Sequence, residues 1–248
     1  MNILVTRPEP YASELVARLQ ILGKPAWALP LITFIPGKDL KSLPQQLAQL
    51  QRGDLIFLMS RQVIKFIQSS LQHNKINWPT FVEYYTIGRY TALAIHNINN
   101  LNVYYPDAQE TSEELVRLHS LQNITGKTAL ILRGSTGREL LGETLTMRGA
   151  KVNYCECYQR CKKYYDGIIE GQRWRALGIN TVIVTSNEML QQLLTLFPIV
   201  DRYEWLLSCR LLVVSERLAI QAVKLGWQNI DIANSANNDD LIHKLCYK

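Results

Sequence analysis

The sequence is poor in the residues that most enzymes use for proton transfer. Only four histidines occur in 248 residues. They stand at His73, His96, His119 and His243, within or near apparent helices, and none follows an apparent strand. There is no Ser-His-Asp order, no paired carboxylate motif and no H-E-x-x-H, which removes the common hydrolase and zinc-protease arrangements. No G-x-G-x-x-G or G-x-x-x-x-G-K-S/T follows a strand, which argues against a dinucleotide or a nucleoside triphosphate. The five cysteines are odd in number and irregularly spaced, a poor disulfide framework. Cys155, Cys157 and Cys161 cluster, but no histidine lies near them; they read as reduced structural thiols rather than metal ligands. No run of about 18 apolar residues is present, so no membrane-spanning helix is expected. No long Lys/Arg run marks a nucleic-acid arm. The start, Met1-Asn2-Ile3-Leu4-Val5-Thr6-Arg7, reads as a short strand and a charge rather than a leader peptide. The expectation is a cytoplasmic monomer without a metal site, bound to neither membrane nor nucleic acid.

What is present is ordinary in amount and unusual in arrangement. The chain is 47% hydrophobic and 19% charged, enough for one large domain or two small ones. Lys plus Arg exceed Asp plus Glu by 27 to 21, a balance that suits an anionic ligand. The notable feature is a repeat. Ile3-Leu4-Val5-Thr6-Arg7 and Ala129-Leu130-Ile131-Leu132-Arg133 are apolar runs ending in arginines 126 positions apart. A helical pattern follows each, lined by Tyr11, Leu15, Leu19 and Leu22 in one copy and by Leu141 and Leu145 in the other. Each stops at a glycine, Gly23 and Gly149, at the same offset of 126. Asp54 to Ser60 matches Asn180 to Ser186 at 126, and Tyr85 to Ala92 matches Leu212 to Ala219 at 127. Chance apolar runs do not hold register over so many landmarks. Strands alternating with helices imply an α/β fold with parallel sheets covered on both faces.

In such sheets ligands bind beyond the C-terminal strand ends. There the sequence places Arg7 with Thr6, Ser60 with Arg61, Arg89 with Thr91, Arg133 with Ser135 and Arg138, Ser186, and Ser215 with Arg217. The set is rich in hydroxyls and guanidiniums and has few acids. Each serine alone is as well explained as a helix cap, and each arginine as a solvated charge. Together, beside helix N-termini, they suit a small ligand bearing several anionic groups. Tyr158, near the end of the extended run Lys151 to Tyr158, is either a packed aromatic or a phenol available for chemistry.

The stretches LVTRP, PLITFIPG, DLIFLMS, YYTIGRYTALAI, ALILRGSTGRELLGETLTMRGAKVNYCECYQRC, TVIVTSNEMLQQL and LLVVSERLAIQAVKLGW, in this order and with the tail IANSANNDDLI, carry a family resemblance. The chain resembles the uroporphyrinogen-III synthases, the enterobacterial type in particular. That resemblance implies two similar α/β domains joined by a two-stranded extended linker, with the chain crossing twice. Residues 1–35 plus 160–248 would form one domain and residues 37–157 the other, with linker strands near 31–36 and 152–159. It implies a cofactor-free lyase whose substrate, hydroxymethylbilane, is cyclised in an interdomain cleft with loss of water and inversion of the last pyrrole ring. It also implies transient contact with the preceding pathway enzyme. By the same resemblance Tyr158 matches a tyrosine proposed as proton donor, and Thr91, Ser60 and Ser186 match cleft residues. Arg7, Arg133, Arg138 and Ser215 are expected as substrate-binding residues from the strand-end pattern. Leu218 stands where many members have threonine. The alternatives are a non-catalytic binding module for a small polyanion such as a tetrapyrrole and, third, a sugar-phosphate enzyme.

Overall fold

The computed structural model describes residues 1–135, 137 and 139–246. Two compact units divide it: Met1–Thr33 with Cys161–Lys248, and Phe34–Arg160. Eleven strands are present among the described residues: β1 (Ile3–Val5), β2 (Ala26–Ala28), β3 (Ile32–Pro36), β4 (Leu55–Leu58), β5 (Glu83–Thr86), β6 (Val103–Tyr104), β7 (Thr128–Gly134), β8 (Lys151–Lys162), β9 (Thr181–Ile183), β10 (Arg210–Val213) and β11 (Ile230–Ile232).

The first unit holds a five-stranded sheet in the order β11-β10-β9-β1-β2, with all four pairings parallel. Alternate residues of each strand enter different cores. Leu4, Val182, Leu211 and Val213 pack with Trp174, Phe197, Trp205 and Trp227 on one face. Ile3, Val5, Ile183 and Leu212 pack with Leu15, Leu19, Leu241 and Ile242 on the other. This is why the central strands β1, β9 and β10 read as nearly unbroken apolar runs, while the edge strand β11 carries Asp231, which pairs with Arg210. Each such side chain contributes roughly 1.5–3 kcal/mol by leaving water.

The second unit follows the same plan with the order β3-β8-β7-β4-β5-β6. The run from β8 to β6 is parallel. Beside β8, the Gly37 N–H donates to Cys157 O at 3.0 Å and Asp39 N–H to Glu156 O at 3.3 Å. Ile56, Leu58, Leu130, Leu132, Cys155 and Cys157 face one helical layer; Leu55, Phe57, Ala129 and Ile131 face another. The five cysteines are free, and Cys155 and Cys157 are buried with sulfurs 3.8 Å apart.

Strands related by the 126–127 offset are β1 and β7, β2 and β8, β4 and β9, β5 and β10, β6 and β11. Numbered within a copy, and setting aside the edge strand β3 of the second sheet, both sheets therefore read 2-1-3-4-5. Apart from β3, each sheet takes strands 1 and 2 from one copy and strands 3, 4 and 5 from the other. The topological switch point lies between the first and third strands, that is between β7 and β4 in the second unit and between β1 and β9 in the first.

The first helix, Tyr11–Ile21, buries Ala12, Leu15 and Leu19. Leu22, expected on that stripe, is instead exposed. The chain has already left the helix there and turns through Gly23, whose φ of +69° only glycine adopts without strain. Gly149, at +80°, ends the corresponding helix of the second copy.

Candidate active site

At the β7/β4 switch point of the second unit a cavity of about 310 Å³ opens beyond the strand ends. Ser60, Arg133, Gly134, Tyr154, Tyr158 and Glu110 line it. Ser60 leaves β4 in an extended conformation, and its Oγ accepts the Val63 N–H at 3.4 Å, so it caps the helix Arg61–Asn74. The same oxygen lies 3.3 Å from the Tyr158 hydroxyl. Cap and candidate ligand are thus one residue.

Tyr158 owes its place to an irregularity. The β7/β8 ladder runs in step up to Arg133 opposite Glu156, then pairs Gly134 with Tyr158. One extra residue on β8 forms a bulge, which re-aims the next side chain. Two-residue alternation from Cys155 and Cys157 would send Tyr158 to the opposite face; in the structure its ring packs against the same cluster as those cysteines. It stands edge-on to Phe34 at 5.4 Å and stacks on Phe66 at 5.9 Å. Gly134 makes the remaining room, since a Cβ there would lie 2.7 Å from the phenol Cζ.

Arg133 points into the same region but is partnered. Its Nη1 donates to Glu139 Oε1 at 3.0 Å, and its guanidinium lies 4.5 Å from the centre of the Tyr154 ring. The Tyr154 hydroxyl donates to the other oxygen of Glu139 at 3.3 Å. Desolvation, then the neighbouring Glu139, raises the Tyr154 pKa, so its hydroxyl stays protonated. Across the cavity, Glu110 Oε1 accepts the Arg89 N–H at 2.9 Å, the first turn of the helix Arg89–Asn99. Gly88, the cap residue, has no side chain to do this, and a Cβ there would stand 2.7 Å from Glu110 Oε2.

Two acids nevertheless stand near this edge. Glu110 and Glu139 reach the edge from outside the strand ends, where a strand-end inventory does not look. Thr91 lies half-buried in the first turn of Arg89–Asn99 and does not line the cavity. Arg138 lies outside the described residues.

In the first unit, Ser186 and Ser215 cap the helices Asn187–Leu196 and Glu216–Lys224, each accepting a backbone N–H at 3.3 Å, from Met189 and Leu218. Both line a cavity of about 510 Å³ together with Thr185, Arg217 and Leu218. Leu218 is 4% exposed, so a core side chain stands where the other copy has half-buried Thr91. Arg7 is buried and lines neither cavity; its Nη1 donates to Asn238 Oδ1 at 2.5 Å and its guanidinium lies 5.3 Å from the Tyr11 ring. Among the described residues no cluster of three His, Cys, Asp or Glu suits a metal, and no helix is long and apolar enough to cross a membrane.

Tyr154, Glu139 and Glu110 were not expected as site residues. Tyr154 carried a signal, an aromatic four places before Tyr158 on one extended run; the two acids carried none.

A family model described as uroporphyrinogen-III synthase HemD matches residues 13–243. The uroporphyrinogen-III synthase of Salmonella typhimurium is 53% identical over 99% of this chain and 100% of its own length. That of Escherichia coli is 54% identical over the same shares. Solved structures of a mutant uroporphyrinogen III synthase from Thermus thermophilus and of uroporphyrinogen-III synthetase from Helicobacter pylori align with TM-scores of 0.58 each. They cover 97% and 98% of this chain and 96% of each of theirs, at 13% and 15% identity, a likeness of fold alone. With full-length relatives above half identity and a family match over most of its residues, the chain belongs to the uroporphyrinogen-III synthase family.

Proposed function

We propose that this chain catalyses the reaction of its family: ring closure of the linear tetrapyrrole hydroxymethylbilane to uroporphyrinogen III, with loss of water and inversion of the last pyrrole ring. The observation that carries the reading is the full-length identity to synthases above 50%. The side chains of the second unit's cavity support it: the hydroxyls of Ser60, Tyr154 and Tyr158 and the Arg133 guanidinium suit a ligand bearing acetate and propionate arms.

The chemistry asks little of an acid/base pair. The terminal pyrrole nitrogen supplies the electron pair that expels the hydroxyl, and one proton added to that hydroxyl releases it as water. The cationic pyrrole is attacked by the last ring to give a spiro intermediate, which fragments and recloses with that ring inverted; rearomatisation releases one proton, which replaces the one given to the hydroxyl, so that water is the only net loss. Uncatalysed closure gives the uninverted type I isomer, so the protein's main task is to hold a geometry in which that closure is excluded. Tyr158 is proposed to give the proton, with Ser60 at 3.3 Å able to return a hydrogen bond to the phenol oxygen. Ser186, Ser215 and Arg133 are proposed to hold substrate carboxylates, with Arg138 and Arg7 kept as expectations. Thr91 is proposed to act from the first turn of its helix.

Two readings separate catalysis from mere binding. Uroporphyrinogen III should raise the thermal midpoint, and enzymatically generated hydroxymethylbilane should be converted mainly to type III. Thermal protection with a type I product would make the protein a polyanion-binding module instead.

A further inference from the structure

Arg133 and Tyr154 aim at one carboxylate from two directions. The guanidinium donates to one oxygen of Glu139 and the phenol hydroxyl to the other, at 3.0 and 3.3 Å. The two donors are stacked on each other at 4.5 Å, so each fixes the other's position. Tyr154 is seated further by Gly142, where a Cβ would stand 1.8 Å from the phenol oxygen. The pair is thus built on two sheet strands, with the Arg133 side chain 22% exposed, while the Glu139 side chain is 54% exposed. Both donors line the cavity that holds Ser60 and Tyr158, and Glu139 does not.

We propose that Arg133 and Tyr154 form a subsite for one carboxylate arm of the substrate, and that Glu139 is the chain's own carboxylate occupying that subsite until substrate arrives. This rests on the function proposed above and adds to it a binding role for Tyr154 and a competing role for Glu139. A half-exposed ion pair is weak, so an incoming acetate or propionate displaces it at small cost. The exchange keeps the arginine paired at every stage and leaves no buried charge alone. It also gives selectivity, because a ligand with no carboxylate at this point cannot replace the hydrogen bonds that Glu139 already makes.

The test is steady-state kinetics of Glu139→Gln, Tyr154→Phe and the double variant with enzymatically generated hydroxymethylbilane. Glu139→Gln should lower KM about two- to fivefold, the size expected for release of an exposed pair, with the effect on KM rather than kcat. Tyr154→Phe should raise KM, and in the double variant it should erase the gain. An unchanged or raised KM in folded Glu139→Gln would overturn the proposal and leave Glu139 as a residue that orients Arg133. If Glu139→Gln lost its cooperative unfolding transition, Glu139→Asp, whose shorter side chain retracts from Arg133, should show the same direction, and a raised KM there would be equally decisive against it. Loss of type III product in the unmodified protein would instead overturn the family reaction itself.

Discussion

Tyr158 is held by three aromatic or polar neighbours, Phe34, Phe66 and Ser60, and by the empty space over Gly134. None of these neighbours is a base. A phenol placed this way is suited to assist a leaving group that already departs readily. Tyr158→Phe should therefore slow turnover by about tenfold, below the usual range for a general acid, while retaining product. Complete loss of activity in a folded variant would mean that the phenol does more than assist. The serines show why single residues were hard to assign from sequence. Ser60, Ser186 and Ser215 all cap helices, and a cap and a ligand look alike in a string of letters. Geometry adds what the letters do not: Ser60, besides capping its helix, stands 3.3 Å from the Tyr158 hydroxyl.

The β7/β8 bulge decides where Tyr158 points, and it left no trace in composition. The alternation of Cys155 and Cys157 was legible as a shared strand face; the extra residue that breaks it before Tyr158 was not. Glu110 was hidden for a related reason, since it meets Arg89 from 21 residues away and no local pattern announces so long a return. Gly134→Ala tests the element directly. The added methyl would press on the phenol ring, so turnover should fall while the thermal midpoint drops only slightly. In a Tyr158→Phe background the same substitution should cost much less activity, because both changes act through one hydroxyl. Full additivity would show that Gly134 serves the sheet alone.

On the scale of the molecule, the repeat was legible because doubly buried strands demand unbroken apolar runs and helices demand glycine stops. The interleaving of the copies was not legible from the repeat itself, since two tandem domains would show the same offset; only the resemblance pointed to crossing passages. In the structure each sheet holds strands of both copies. The interleaving has a consequence for fragments. Residues 34–160 contain β4, β5, β6 and β7 entire and most of β3 and β8, and should fold cooperatively alone, as a unit with its own core should. Residues 1–126 form one complete copy, yet lack β7, which lies between β8 and β4 in the second sheet, and β9, which lies beside β1 in the first. That fragment should show no sharp unfolding transition by circular dichroism. A cooperative transition in residues 1–126 would mean that the copy, rather than the unit, is the folding entity.

The chemistry proposed for the whole chain comes down to whether the macrocycle closes with its last pyrrole ring inverted. The most direct measurement is the isomer ratio of the product when hydroxymethylbilane is generated in place by its own synthase, with and without this protein. Type III should dominate with the protein and type I without it. A product that remains type I at saturating protein would contradict the account.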